Sequence, residues 1–193
     1  VPEAFGEPIA VLAGDALIVL AFETLAREAT ADGRRLAELC RIVGRATGMP
    51  GGICAGQAWE SEANPDLSQY QRAKTGALFV AACAAGAVAG GGRIADWTPL
   101  GDRLGEAYQV ADDLRDALAD AEELGKPVGQ DMAHDRPNAV VALGPKGAKA
   151  RLEGLVGAAV DAIPACPGRG LLEALVRSEA KRLVPPKLAA MVG

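Results

Sequence analysis

Histidine is almost missing from this chain of 193 residues, which has one, and aromatic residues make up only 4% of it. A single histidine, His134, excludes the paired Glu-x-x-His pattern of a di-iron carboxylate bundle, and its polar neighbourhood reads as surface. Scarce aromatics beside 24 glycines mean that small side chains must do much of the packing. No block rich in Lys and Arg occurs, and the net charge of -5 with pI near 5.0 removes the electrostatic footprint of a nucleic-acid binder. Cys40, Cys54, Cys83 and Cys166 form no C-x-x-C pair, which argues against a zinc knuckle or redox motif and for reduced structural thiols in the cytoplasm. Long apolar runs are also few. Ile9 to Phe22 is interrupted by Asp15, and Ala77 to Gly92 is mostly Ala and Gly, so neither offers the ~18 strongly apolar residues of a span. Both read as buried core helices, and no transmembrane segment is expected. Val1 to Gly6 lack the basic segment and cleavage site of a secretory signal.

What is present is Ala and Leu in stretches broken by Gly and Pro, with little Val/Ile/Thr alternation. That pattern predicts an all-α protein, a single domain over residues 1–193 that can bury a core without staples. The first helix is expected from Pro8 to about Ala29, the second from Asp32 to Thr47 with Gly48 as its stop. After a turn at Met49 to Gly52, a short helix carries Gln57 and Glu60. Asn64, Pro65 and Asp66 form a turn and N-cap for a long helix ending at Gly90, Gly91 and Gly92. Another helix spans about Trp97 to Leu124, closed by Gly125 and Pro127, with a polar loop from Lys126 to Pro137. Smaller helices follow, with boundaries at Pro145 and Pro164 and an end near Val184. A helix already under way at Pro8 leads to the expectation of further sequence upstream. Asp15, a carboxylate in an apolar helix, is expected to find a helix terminus or hydroxyl, with support of a cavity as the alternative.

The chemistry concentrates in one helix. At about 100° per residue, Gln109, Asp112, Asp113 and Asp116 share roughly a third of the circumference, with Asp120 beyond them, opposite an apolar side of Leu104, Ala107, Ala111, Leu114 and Leu118. Spacing alone leaves two readings open: an acidic face solvated in the ordinary way, or a site. Arg115 is expected to point elsewhere, leaving like charges that cost roughly 0.2–0.5 kcal/mol per pair. A cation should compensate, and hard carboxylate oxygens suit Mg²⁺ carrying substrate phosphates. Lys74, Lys126 and Arg136 are the candidate fixed cations. Lys74 stands where a polar helix turns apolar, which favours an inward ammonium, with an exposed lysine as the alternative. Lys126 has another role open to it, beside a helix C-terminus.

YQVADDLRD at 108–116, KTGALF at 74–79 and LGKPVGQD at 124–131 stand in order with AGDAL at 13–17 and GGICAGQ at 51–57. Together they resemble the isoprenyl diphosphate synthases, or polyprenyl synthetases, over essentially the whole chain, and GKPVGQDMAHDRPNAV is most similar to the geranylgeranyl type. The resemblance implies a helical bundle around a deep cavity, with Mg²⁺ between two facing Asp-rich motifs. It implies that an allylic diphosphate and isopentenyl diphosphate condense to a short-chain product of fifteen to twenty carbons. YQVADDLRD matches the second motif, so Asp112 becomes the leading Mg²⁺ ligand, supported by Asp113 and Asp116, with Gln109 as a hydrogen-bonding neighbour. Lys74 and Lys126 match lysines that hold the allylic diphosphate, Arg136 stands where a lysine is frequent, and Thr75 and Gln57 match polar groups near the developing cation. A homodimer is implied as well. The first Asp-rich motif and its following arginines are absent, Pro2 replaces a substrate-binding histidine, and Glu60 replaces an Asp. The expectation is therefore an enzyme whose upstream part is missing and which is inactive as given, with a non-catalytic regulatory subunit or a diphosphate-binding homologue as the alternative. The product's chain length is not legible here.

Overall fold

The computed structural model describes residues 2–28, 32–59, 61–62, 69–70, 72–118 and 138–183. Glu60, the Asn64–Asp66 turn, Asp120, Gly125, Lys126, Pro127, His134, Arg136 and Val184 lie outside the described residues. Every regular element among the described residues is helical, as the Ala/Leu composition predicts. A short α1 (Pro2–Phe5) leads into α2 (Glu7–Glu28), followed by α3 (Gly33–Thr47) and α4 (Ile53–Trp59). A π-helical turn, Arg72–Gly76, runs directly into α5 (Ala77–Ala89). Next come α6 (Ile94–Leu118), α7 (Ala139–Asp161) and α8 (Arg169–Leu183).

The ends of these helices follow from their sequences. Asp32 caps α3, its Oδ1 accepting from the backbone N–H of Arg34 and Arg35 at 3.1 Å each, which satisfies donors that have no partner within the helix. At the end of α5, Gly91 adopts φ +75°, and Gly92 N–H donates to Ala87 O at 2.7 Å while Gly91 N–H donates to Val88 O at 3.2 Å. This is the paired closure that a left-handed residue makes possible, and glycine enters that region at no steric cost. The boundary expected at Pro145 is present as a break within α7: Gly144, at φ +68° and ψ 165°, is not helical, and the helical stretches on either side of it meet at a kink.

Helix α6 is the centre of the molecule, packed on α5 on one side and α7 on the other. Ala107, Val110, Ala111 and Leu114 of α6 meet Ala148, Leu152 and Leu155 of α7. Leu100 joins Ala159, Val160, Ile163 and Val176 in a second cluster that brings in α8. Glycines let the α5 side close in. A Cβ on Gly101 would stand 2.6 Å from Val80 Cα, and one on Gly105 2.8 Å from Gly76 Cα.

Two expectations about α2 are corrected. It is not a buried core helix, because among the described residues it packs mainly on α1 and α3 and nothing covers its other side. Leu12, Leu17 and Val19 are 61%, 67% and 64% exposed. Asp15 is likewise exposed rather than paired in a core. By length and composition, Glu7–Arg27 with mean hydropathy 2.0 and Arg72–Ala89 with 1.2 both reach what a membrane-crossing helix needs, so the interruptions by Asp15 and by Ala and Gly do not exclude a span.

Candidate functional site

The acidic face of α6 is not a solvated surface. Asp113 and Asp116 are 2% and 3% exposed, which removes the bland reading, since buried charges need partners. The partners of Asp113 come from two elements. Gln109 Nε2 donates to its Oδ1 at 3.0 Å, and the backbone N–H of Ala139 donates to its Oδ2 at 2.7 Å. The second bond caps α7 from outside. Asn138 Oδ1 takes the next two donors, Val140 N–H at 2.8 Å and Val141 N–H at 3.4 Å. The first turn of α7 is thereby satisfied by side chains of two different segments, and its dipole favours the negative carboxylate placed there.

Gln109 passes the connection on. Its amide oxygen accepts from Thr75 Oγ1 at 3.3 Å, so Thr75, Gln109, Asp113 and the Ala139 N–H form one hydrogen-bonded line across the π-helical turn, α6 and α7. Lys74 precedes Thr75 on that turn and is half-buried, donating to the Tyr70 hydroxyl at 2.9 Å with Nζ 5.3 Å from that ring's centroid. This favours the inward reading over an exposed lysine. Isolated π-helical turns occur often at functional sites because they re-aim side chains. Here the turn is wedged in place, since a Cβ on Gly56 would come within 2.5 Å of Lys74 N. Gln57, the next residue of α4, is exposed beside it.

Asp112 differs from its neighbours. Its side chain is 33% exposed, and Arg115 Nη2 donates to its Oδ1 at 3.1 Å. Arg115 therefore does not point away from the acidic cluster, as its position on the helix was expected to make it do. Residues three apart on a helix are neighbours whatever face they nominally share. Tyr70 and Arg115 are the functional candidates that reading by faces missed; their spacings from Lys74 and Asp112, four and three residues, were the available signal.

Gln109 and Asp113 also line a cleft of about 1700 Å³ whose walls combine the apolar Val80, Ala84 and Val110 with Arg41, Arg72 and Arg103. Lys74, Thr75 and Asp112 lie outside its described wall. Among the described residues, no three carboxylate, imidazole or thiol groups converge into a ready-made metal cage. A carboxylate at a half-exposed rim still suits Mg²⁺, which needs only one or two protein oxygens when waters and phosphates complete its shell. By exposure Asp112 fits direct ligation, whereas Asp113 is buried, with its oxygens accepting from Gln109 and Ala139.

Comparison with known proteins gives the family. The polyprenyl synthetase family profile matches residues 1–161. The chain is 54% identical over 192 residues to geranylgeranyl diphosphate synthase of Cereibacter sphaeroides, covering 100% of this chain and 67% of that protein. It is 48% identical to geranylgeranyl diphosphate synthase of Rhodobacter capsulatus, covering 94% of this chain and 63% of that one. A crystal structure of geranyltransferase from Helicobacter pylori complexed with magnesium and isoprenyl diphosphate superposes with TM-score 0.76 at 28% identity, covering 94% of this chain and 63% of that one. The chain thus spans about two thirds of the length of these relatives. With a family match over most of its length and a relative identical at more than half of the aligned positions, the chain belongs to the polyprenyl synthetase family.

Proposed function

We propose that this chain serves a prenyltransferase that condenses isopentenyl diphosphate with an allylic diphosphate to a product of farnesyl to geranylgeranyl length. The observation that carries the proposal is the part-buried hydrogen-bonded line from Thr75 through Gln109 to the buried Asp113, which seats the partly exposed Asp112 and the inward Lys74 on the same scaffold. Membership of the polyprenyl synthetase family supports the reaction class.

In the reaction, the allylic C–O bond breaks with its electron pair leaving on the diphosphate. The double bond of isopentenyl diphosphate forms the new C–C bond, and the proton lost next to it passes to the released diphosphate. Lys74 holds the departing diphosphate by charge, its direction fixed by Tyr70, and Lys126 and Arg136 are assigned the same task from sequence. Asp112 holds Mg²⁺, with Asp113 and Asp116 as its support. When bound, Mg²⁺ neutralises the diphosphate and makes it a better leaving group. Gln109 and Thr75, hydrogen-bonded to each other, are assigned the polar contacts where positive charge develops on the allylic carbon, and Gln57 is assigned the same task from sequence.

The four cysteines are free, which supports a reducing, cytoplasmic setting. The apolar, uncovered face of α2 supports packing against a second copy to form a homodimer. The 193 residues hold one Asp-rich motif rather than two, so by themselves they bind diphosphate without completing the transfer. A regulatory subunit is the second reading. The deciding experiment is incorporation of labelled isopentenyl diphosphate into geranyl and farnesyl substrates by the natural protein and its Asp112→Ala variant. Turnover by the first and its loss in the second is expected. No turnover, together with activation of a separate synthase, would establish the subunit reading instead.

A further inference from the structure

The helix that carries the acidic cluster also carries a cation that the reaction described above leaves without a task. Arg115 Nη2 donates to Asp112 Oδ1 at 3.1 Å, and its Cζ lies 5.5 Å from the centroid of the Tyr108 ring. Tyr108 is itself packed on Phe79 of α5, with ring centroids 5.3 Å apart. The guanidinium is laid back along α6 over a ring anchored by another helix, to the point that its Nε is buried without an acceptor. Leaving a donor unsatisfied is costly, and an ordinary surface pair three residues apart would not need it. The crowding of Asp112, Asp113 and Asp116 within five residues supplies a reason. Like charges at these spacings repel, and of the three only Asp112 stands at a half-exposed rim.

We propose that Arg115 is a built-in counter-cation for Asp112, neutralising it while no metal is bound and yielding Asp112 Oδ1 when a divalent cation arrives with a diphosphate. This rests on the reading of Asp112 as a metal ligand. Arg115 is then a positioning residue: it holds the Asp112 carboxylate at the rim and competes with the metal for it, so it sets how much Mg²⁺ the site requires. The side chains of the pair are 23% and 33% exposed, and partly solvated pairs of this kind correspond to about a two- to fivefold effect on the competing equilibrium.

The test measures the Mg²⁺ concentration at which inorganic diphosphate binding is half-saturated, by calorimetry on the natural protein, together with melting temperatures with and without Mg²⁺ and diphosphate. Arg115→Met is expected to lower that Mg²⁺ concentration about two- to fivefold. It should also lower the melting temperature of the metal-free protein while leaving that of the loaded protein unchanged. In an Asp112→Asn background, adding Arg115→Met should no longer lower the metal-free melting temperature. An unchanged or raised Mg²⁺ requirement would overturn the proposal, the latter because it would make Arg115 a diphosphate contact. Equal melting losses with and without metal would overturn it too. If Arg115→Met does not fold, Arg115→Lys, which keeps the charge but not the flat stack on Tyr108, must shift the requirement in the same direction by a smaller factor. Absence of any Mg²⁺-dependent binding in the unsubstituted protein would instead strike at the assignment of Asp112, a result distinct from the others.

Discussion

Asp112 and Asp113 are adjacent in the chain and do different work. Asp113 joins Gln109 to the first turn of α7, so Asp113→Ala leaves part-buried donors unsatisfied and should cost about 1–3 kcal/mol in urea unfolding. Asp112→Ala, at the rim, should cost no more than about 1 kcal/mol, and equal losses would contradict the division of roles. The thiols offer a second check at this scale. Burial, and then the charge of Asp102, push the Cys83 thiol above its ordinary range, whereas Cys54 is exposed. The thiolate is the reactive form, so an alkylating reagent near neutral pH should modify Cys54 well before Cys83, and Cys83 should catch up only as the pH rises past the usual thiol range. The resemblance located these carboxylates, but no spacing rule could show Asp113 as a cap on α7, because the group it caps is 26 residues away. The partnership of Arg115 with Asp112 was legible as a three-residue spacing and was obscured by assigning residues to faces.

At the scale of elements, the caps and stops were legible because they are local: Asp32 before α3 and the three glycines after α5 act within one turn of themselves. The π-helical turn at Arg72–Gly76 was not, since periodicity reads straight through it and the wedge that holds it comes from distant glycines of α4 and α6. Those glycines carry a prediction. Gly105→Ala would drive a Cβ to 2.8 Å from Gly76 Cα, forcing α6 from the turn at a cost of about 1–3 kcal/mol in thermal or chemical unfolding. By stretching the contact between Thr75 and Gln109, it should weaken diphosphate binding as well. Gly157→Ala on α7 meets nothing within 4 Å and should stabilise by about 0.5–1 kcal/mol. Destabilisation by both would mean that the close approach of α6 to the turn is not what constrains Gly105.

For the molecule as a whole, composition was enough to establish an all-helical chain, but not what each apolar helix packs on. The run in α2 states that something must cover it, and in this structure its described contacts are mainly with α1 and α3. If a second copy covers it, light scattering should report a dimer, and Leu17→Glu, at a position 67% exposed, should yield monomers without unfolding the chain. A dimer untouched by that change would place the interface elsewhere. The account stands most directly on one property, a diphosphate site shared between the rim carboxylate of α6 and the ammonium of the π-helical turn. Its measurement is calorimetric titration of the protein with an uncleavable allylic diphosphate analogue, with and without Mg²⁺. The account predicts binding that requires Mg²⁺ and weakens at least about tenfold, the equivalent of about 1.4 kcal/mol, in both Asp112→Ala and Lys74→Ala. Binding indifferent to Mg²⁺ and to both substitutions would contradict it.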